Sequence, residues 1–382
     1  MNQVLPSKQA RKLCLQWING LEKGGPEEGC MLGLLVCTDG TVLRAFSGLH
    51  ASLMGRKDYV PPCFDADQYS RISALSTTDS DLSKKIWKEL LGLYRFCCFD
   101  GQTVKLGDIF PDAPSGSGDC CAPRLLSHCY SLGKKPLSMA EFYWGDCPYE
   151  RGSFHTPCDS RCRPVLKHIL GLDIVWQDES IVVVNKPHGL LSIEGKTEKD
   201  CVASRVRNLF VPCIQQPCIH RLDQATSGLM VLGLTDSAHN ILSAAFENRE
   251  VEKEYTALVD GVLTEEEGEI DLSIRADIEN RPLQIPDPVH GKRAVTKWRR
   301  IRVEKAGGRF VTRVVFRPLT GRTHQIRVHS ACGLGMPVLN DRLYGREEDR
   351  NTTENLCLCA TKLAFTHPET GKLMSFEIQS TF

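Results

Sequence analysis

The sequence lacks several features that would assign its class at once. No stretch reaches the roughly 18 uncharged apolar residues that a membrane span needs. The opening residues 1–12 carry a proline and scattered charge where a signal peptide has an apolar segment. No internal repeat is present, and residues 111–119 form the only Pro/Gly/Ser-rich stretch of any length. These absences predict a soluble, intracellular protein of the cytoplasm without a membrane partner, and nothing in the sequence indicates a protein partner.

The length and composition favour a globular protein of more than one domain. At roughly 100 to 200 residues per domain, 382 residues make two or three domains. Hydrophobic residues make up 41% and charged residues 25%, which excludes a disordered or fibrous chain. Twelve of the eighteen cysteines precede residue 171. We therefore expect a Cys-rich N-terminal domain over 1–170 and a second domain over 171–382, with free thiols rather than a disulfide framework.

The formal net charge is zero, but the charge is unevenly distributed. Residues 292–327 contain twelve Lys or Arg and a single acid, Glu304, whereas acids gather at 247–279. A neutral protein that segregates charge in this way can present a cationic face to phosphates. The alternative interpretation is a solvated face of a sheet, and the charge pattern alone does not distinguish the two.

Periodicity predicts mixed α and β structure in both parts of the chain. In the first domain, helical spacing covers 7–22, 81–95 and 122–132, and strand-like runs cover 31–37, 41–46 and 138–144. From Leu172 onward two short apolar strands flank an acidic turn, and strands alternate with Gly or Pro turns after 251. We expect an α+β catalytic domain with a mixed, mostly antiparallel sheet and a separate α/β N-terminal domain.

The densest polar signal is HRLDQATSGLMVLGLT at 220–235. An acid and two cations, His220, Arg221 and Asp223, precede an apolar strand and should lie at its mouth. A capping Asp paired with a neighbouring Arg in a surface turn would give the same pattern. A second cluster, GRTHQIRVH at 321–329, alternates at strand period and points Arg327 inward. Because a buried Arg needs an acid beside it, its natural partner is Asp223.

Together these blocks resemble the catalytic domain of the RluA family of RNA pseudouridine synthases. The similarity runs in order through IVVVNKPHGLLS, HRLDQATSG, KEYTALVDG, GRTHQIRVH and PVLNDRLYG, over about 210 residues. Residues 275–284 are similar to a segment of the subgroup that modifies large-subunit ribosomal RNA and tRNA loops. The resemblance implies the pseudouridine synthase fold and the isomerisation of a uridine in rRNA, tRNA or both, without metal or cofactor.

Carried onto this sequence, the resemblance implies a role for each motif residue. Asp223 would be the catalytic carboxylate, Tyr255 the aromatic against the target base, and Arg327 the basic partner of the aspartate. Arg221 would enter the RNA stack in place of the extruded uridine. The expected RNA-binding residues are Arg221, His220, Arg299, Arg302 and Arg322. Without the resemblance, Tyr255 would be interpreted as a packing aromatic, and Lys186 and His188 remain assigned to a turn.

The N-terminal domain leaves its function open. Cys120 and Cys121 open a predicted helix, and His155, Cys158 and Cys162 stand at the start of another, a layout loosely resembling the zinc site of cytidine deaminases. The acid two residues after the first ligand is missing, and C-x-x-x-C replaces C-x-x-C. A structural zinc site and free cysteines are the other interpretations. The functional alternatives are therefore an RNA-binding protein without catalysis and a bifunctional enzyme with a deaminase-like zinc domain.

Overall fold

The computed structural model describes residues 8–21, 29–48, 53, 56–61, 87–145, 148–210 and 212–382, and the structural statements below concern these residues. The chain divides into two compact units. The N-terminal unit comprises Met1–Val182 and Arg205–Gln215, and the C-terminal unit comprises Val183–Ser204 and Gln216–Phe382. The domain boundary at 170/171 stays a prediction. Among the described residues, no helix combines the length and apolar character that crossing a bilayer requires.

The first half of the chain builds a four-stranded antiparallel sheet in the order β2-β1-β5-β6, and β3 and β4 form a separate antiparallel pair. The helices and strands predicted near 7–22, 122–132, 31–37, 41–46 and 138–144 are confirmed. Residues 81–86 of the predicted helix at 81–95 lie outside the described residues; residues 87–91 are helical, but a strand begins at Arg95. The elements are α1 Lys8–Leu21, β1 Cys30–Cys37, β2 Val42–Phe46, β3 Arg95–Cys97, β4 Thr103–Lys105, α2 Leu106–Ile109, α3 Cys121–Ser131, β5 Pro136–Trp144, β6 Phe154–His155, α4 Cys162–Ile169 and β7 Asp173–Gln177.

One glycine decides how closely α3 approaches this sheet. A Cβ on Gly33 of β1 would lie 2.5 Å from the Cβ of Cys121, the first residue of α3. The absence of a side chain therefore lets the start of the helix rest on the strand. The Cys121 thiol then donates to the carbonyl oxygen of Met31 at 3.3 Å.

From β8 onward the chain builds a larger sheet in the order β11-β14-β15-β10-β16-β9-β8, with β17 beside β16. The pairs β11–β14, β14–β15, β15–β10, β10–β16 and β16–β17 are antiparallel and β9–β16 is parallel, which confirms the α+β fold with a mostly antiparallel sheet. The elements are β8 Ile181–Lys186, α5 Val202–Leu209, β9 Ser227–Gly233, α6 Asp236–Glu247, β10 Glu252–Asp260, β11 Glu267–Asp271, β12 Ile274–Ala276, β13 Gln284–Pro286, β14 Val295–Ala306, β15 Arg309–Pro318, α7 Gln325–Val328, a π-helix His329–Gly333, a 3₁₀-helix Glu347–Asn351, β16 Leu358–Thr366 and β17 Leu373–Glu377.

The core of this sheet is built from buried apolar residues of its central strands. Leu258 of β10 and Val314 and Phe316 of β15 are buried in one cluster with Val338, and Tyr255 packs against its edge. Because Ala257, Leu258 and Val259 are all buried, both faces of β10 are covered over this stretch, whereas the first residues of the strand stay exposed or partly buried.

The strand predicted over 321–329 is wrong. Residues 325–328 form the short helix α7, and the π-helix follows it. The Gln325 side chain explains the change, because its Oε1 accepts from the Arg322 N–H at 3.0 Å and its Nε2 donates to the Val295 carbonyl at 3.0 Å. His324, at φ 55°, leaves the extended geometry immediately before the helix. The polar alternation of this segment therefore does not report strand pairing.

Candidate active site

The mouth of β9 opens into a cleft of about 1040 Å³. Its wall is built by the loop before β9, the end of α6, the start of β10, the end of β15 and the segment leading into α7. The cleft brings together six of the residues expected from the sequence. They are His220, Arg221, Asp223, Tyr255, Arg322 and Arg327.

The loop carrying Asp223 is held against the segment that follows β8. Ser192 Oγ donates to the Leu222 carbonyl at 2.7 Å, and His188 Nδ1 lies 2.6 Å from the Ala225 carbonyl. Between them the buried Lys186 donates from Nζ to the Gln224 carbonyl at 3.0 Å. These contacts flank Asp223 on both sides and fix its backbone without using its carboxylate.

Lys186 makes further hydrogen bonds in this region, and the sequence interpretation had assigned it to a turn. Its fully buried ammonium also donates to the carbonyls of Pro187, at 3.0 Å, and Leu190, at 2.7 Å. Three acceptors match the three protons of a charged lysine. Burial lowers the pKa of Lys186 to about 7, and the charge of Asp223 opposes that shift. A lysine that follows the apolar run IVVV at 181–184 after a single asparagine was the available signal.

Strand register brings Tyr255 to the same cleft. Gly228 of β9 pairs with Ala360 of β16, and Ala360 pairs on its other side with Tyr255 of β10. The β10–β16 register shifts between Glu254 and Tyr255, an irregularity that re-aims neighbouring side chains. Burial and the charge of Asp223 raise the pKa of the Tyr255 phenol, so the ring stays neutral.

Arg327 contacts two carboxylates rather than one. Its Nη1 lies 3.8 Å from Asp223 Oδ2, so the predicted proximity is present. The direct hydrogen bonds run to Asp341 instead, from Nε at 2.7 Å and from Nη2 at 2.6 Å. Although burial alone would lower the pKa of Arg327, the ion pair with Asp341 raises it. Sequence reasoning missed Asp341, which lies in the PVLNDRLYG block and carries no local sign of this pairing.

His220 is neutral, which corrects its interpretation as a cation. Its ring stacks on Phe246 with centroids 4.5 Å apart, and its Nε2 accepts from the Val231 N–H at 3.1 Å. Burial, with the nearby Lys253 charge, lowers the pKa of His220 to about 3. This histidine therefore anchors the start of the motif to β9 while its neighbour Arg221 is exposed in the cleft.

The basic run is divided by ion pairs. Arg302 and Arg313 both pair with Glu304, and Arg317 pairs with Glu254. Arg299 is exposed in a separate groove along β11 and β14, which Glu269 also lines. Arg299 and Arg302 are therefore not among the residues that line the main cleft. Much of the run is therefore paired with acids, and of its members Arg317, Arg322 and Arg327 line the main cleft.

His324 and Tyr344 form a further pair at the cleft that the sequence did not single out. His324 lines the cleft, and its Nδ1 lies 2.8 Å from the Tyr344 hydroxyl, which accepts from the Gln284 N–H at 2.8 Å. Burial lowers the pKa of His324 against the charge of Asp223. The Arg327 guanidinium lies 5.1 Å from the centroid of the Tyr344 ring.

The residues considered as zinc ligands are only partly gathered. The thiols of Cys120, Cys158 and Cys162 contact one another, with Cys158 Sγ 3.6 Å from Cys162 Sγ. His155 Nε2 instead contacts Ser153 Oγ at 2.9 Å, and the Cys121 thiol is directed to Met31 as described above. Within the described ranges no group of three or more His, Cys, Asp or Glu side chains is arranged to hold a metal ion. The geometry therefore does not support a deaminase-like centre there.

Comparison with known proteins identifies the relatives of this site. The family model described as RNA pseudouridylate synthase matches residues 180–331. The dual-specificity RNA pseudouridine synthase RluA of Haemophilus influenzae is 43% identical over 213 residues, which are 55% of this chain and 94% of that protein. RluA of Escherichia coli K12 is 42% identical over 213 residues, again 55% and 94%. The matches span nearly the whole of each relative.

A solved structure is also similar. Human RNA Pseudouridylate Synthase Domain Containing 1 is 28% identical, with a TM-score of 0.48, and the match covers 55% of this chain and 84% of that chain.

Proposed function

The chain belongs to the RluA family of RNA pseudouridine synthases, and from that premise we propose that its cleft isomerises a uridine of structured RNA with Asp223 as the catalytic carboxylate. The protein is an isomerase that acts on RNA. The observation that carries the assignment of the site is the convergence of Asp223, Tyr255 and Arg327 in one cleft from three separate sequence motifs.

The reaction breaks the bond between ribose C1′ and uracil N1 and joins C1′ to uracil C5; C5 then loses its proton and N1 takes one up, so that substrate and product are isomers. A carboxylate can add to the sugar or remove a proton from it while the base is detached. Asp223 suits this role because its side chain is 25% exposed at the cleft and is held through its backbone neighbours. The cleft retains the free uracil, so that it rotates rather than diffuses away.

We assign Tyr255 to the face of the extruded base. A uridine within a folded RNA must leave its stack before its glycosidic bond can be reached. The half-buried, neutral phenol offers an aromatic surface beside Asp223 without adding a second negative charge. Arg327 supplies the positive charge next to the carboxylate, at 3.8 Å.

RNA contact is assigned first to the exposed Arg221 and Arg322, which line the cleft. Arg221 is long and planar enough to fill the gap that the extruded uridine leaves. His220 supports that arginine by its stack on Phe246. Arg299 and Arg302 lie on β14 and would contact phosphates farther along the RNA, where Arg302 must exchange its partner Glu304.

We propose rRNA and tRNA together as the substrate class. The relatives of this chain are named dual-specificity enzymes, and RADIENRPLQ at 275–284 resembles the subgroup described above. A cytoplasmic location stays part of this proposal. The alternative of an RNA-binding protein without catalysis is less favoured, because the carboxylate, the aromatic and the guanidinium are all in place.

The test is Asp223→Asn, which keeps the shape and removes the charge. Conversion of uridine in rRNA and tRNA transcripts is followed by release of tritium from uracil C5, and RNA affinity is measured on the same molecules. We expect turnover to be lost while affinity changes little. Asp271→Asn, at an exposed ion pair with Arg293, is the control and should behave as the wild type. A near wild-type rate for Asp223→Asn would remove Asp223 from the chemistry.

A further inference from the structure

We infer that Asp341 is a positioning residue for the reaction, which fixes Arg327 and thereby leaves the carboxylate of Asp223 free to react. The inference rests on the proposed function of the cleft. Asp341 lies between β15 and β16 in the sequence, 14 residues after Arg327, and does not line the cleft itself. Its effect on the reaction therefore passes through the arginine.

Hydrogen bonds to both of its oxygens fix the position of the Asp341 carboxylate. The side chain is fully buried, and each carboxylate oxygen accepts one hydrogen bond from the guanidinium. Its Oδ1 accepts two more from the backbone N–H groups of Leu343, at 2.9 Å, and Tyr344, at 3.1 Å. The backbone of its own turn thus fixes the carboxylate, so that its two oxygens accept the two hydrogen bonds of Arg327 in one orientation. The same turn places the Tyr344 ring against the guanidinium.

The distances assign different tasks to the two carboxylates. Asp341 is bonded through Nε and Nη2 of Arg327, whereas Nη1 stands 3.8 Å from Asp223, beyond a hydrogen bond. If Asp223 were the bidentate partner, both of its oxygens would be occupied and its freedom to reach the sugar would be lost. With Asp341 in that place, the positive charge acts on Asp223 electrostatically while the reacting oxygens remain available.

The chain provides a matched control in Asp349. This carboxylate is also fully buried, pairs with Arg309 through Nη2 at 2.7 Å, and accepts from the backbone N–H of Arg346 at 3.2 Å. It lies outside the set of residues that line the cleft. Asp349→Asn therefore reproduces the loss of a buried ion pair in this part of the fold without touching Arg327.

The experiment measures single-turnover conversion at saturating RNA, RNA affinity and thermal unfolding for Asp341→Asn and Asp349→Asn in the full chain. A displacement of a reacting group by about 1 Å costs on the order of a hundredfold in rate. We expect Asp341→Asn to lose about 10- to 100-fold in single-turnover rate with little change in affinity, and Asp349→Asn to keep the wild-type rate despite a similar loss of thermal stability. Equal rates for the two variants would overturn the inference.

A double-mutant cycle separates positioning from general destabilisation. In an Arg327→Met background Asp341 has no guanidinium to hold, so adding Asp341→Asn should slow the reaction no further. An additional loss would show that Asp341 acts by another route and would overturn the inference. If Asp341→Asn fails to fold, Asp341→Glu replaces it in the experiment, because it keeps the negative charge and changes only the geometry. Its single-turnover rate should fall with unchanged RNA affinity, and a wild-type rate would count against a positioning role. A wild-type protein that converts no uridine would instead contradict the proposed function.

Discussion

Replacing Gly228 with alanine tests whether the active-site loop depends on the close approach of β9 to β16. A Cβ at this position would lie 2.4 Å from both the backbone N and O of Ala360, where ordinary contacts start at 3.4 Å, so the backbone must retreat by about 1 Å. Gly228 also has a φ of 116°, which a residue with a side chain rarely adopts. The clash falls on backbone atoms, which cannot rotate away.

The cost has two sources. Backbone strain at a positive φ contributes about 1 to 3 kcal/mol, and losing the short parallel ladder, in which Ser227 and Gly228 pair with Cys359 and Ala360, contributes about 1 kcal/mol for each hydrogen bond. We expect about 3 to 5 kcal/mol less stability in denaturant unfolding. Because the loop ending at β9 carries Asp223, the same shift should lower the single-turnover rate by roughly a hundredfold.

Gly308→Ala is the matched control for this prediction. Gly308 lies between β14 and β15 with a φ of 77°, and a Cβ at this position would meet no atom within 4 Å. It should therefore show the strain of a positive φ alone, about 1 to 2 kcal/mol, and an unchanged rate. If Gly228→Ala matched Gly308→Ala in both measurements, the fit of β9 against β16 would not position the active site.

Two further predictions concern the loop and the basic residues. Lys186→Met removes the donor shared by three carbonyls beside Asp223, so we expect a lower rate of uridine conversion at saturating RNA with little change in affinity; a full wild-type rate would show that the other contacts suffice. Arg221→Gln should weaken RNA binding and make its log–log salt dependence shallower by about one unit or somewhat less. Arg302→Gln should change the slope less, because Arg302 is already paired with Glu304; equal changes in slope would show that both arginines contact phosphate.

The regular elements were predictable because their signals are local. β10 and β15 are short runs rich in β-branched and aromatic residues, separated by Gly or Pro turns, and α6 has helical spacing, so the sequence already favoured the observed α+β sheet. The short helix α7 was not predictable in this way. A helix of four residues is too short to show a hydrophobic period in the sequence. Its conformation depends instead on the contact of Gln325 with Val295, which lies thirty residues earlier in the chain.

The pairing of the charged residues could not be predicted for a related reason. A count along 292–327 gives a strongly basic run with Glu304 as its one acid, whereas most of the acids that pair with the run lie outside it. Glu304 meets Arg313 across the β14–β15 pair, and Glu254 reaches Arg317 from β10. Without strand register, composition cannot distinguish a phosphate-binding face from a set of cross-strand ion pairs. The second partner of Arg327 was missed likewise, since Asp341 becomes its neighbour only through the fold.

The N-terminal part of the chain gives the last prediction. The 213 residues aligned with the Haemophilus influenzae enzyme make up 94% of that protein, so an enzyme of this family can be built almost entirely from the part shared with this chain. Asp223, Tyr255 and Arg327 all lie in the C-terminal unit. We therefore expect a fragment of residues 171–382, shown to be folded by circular dichroism, to convert uridine at a rate close to that of the full chain. Any loss should appear in RNA affinity, measured on the same transcripts. A folded fragment that binds RNA but converts none would show that residues 1–170 act in the chemistry, against the assignment of every catalytic group to the other unit.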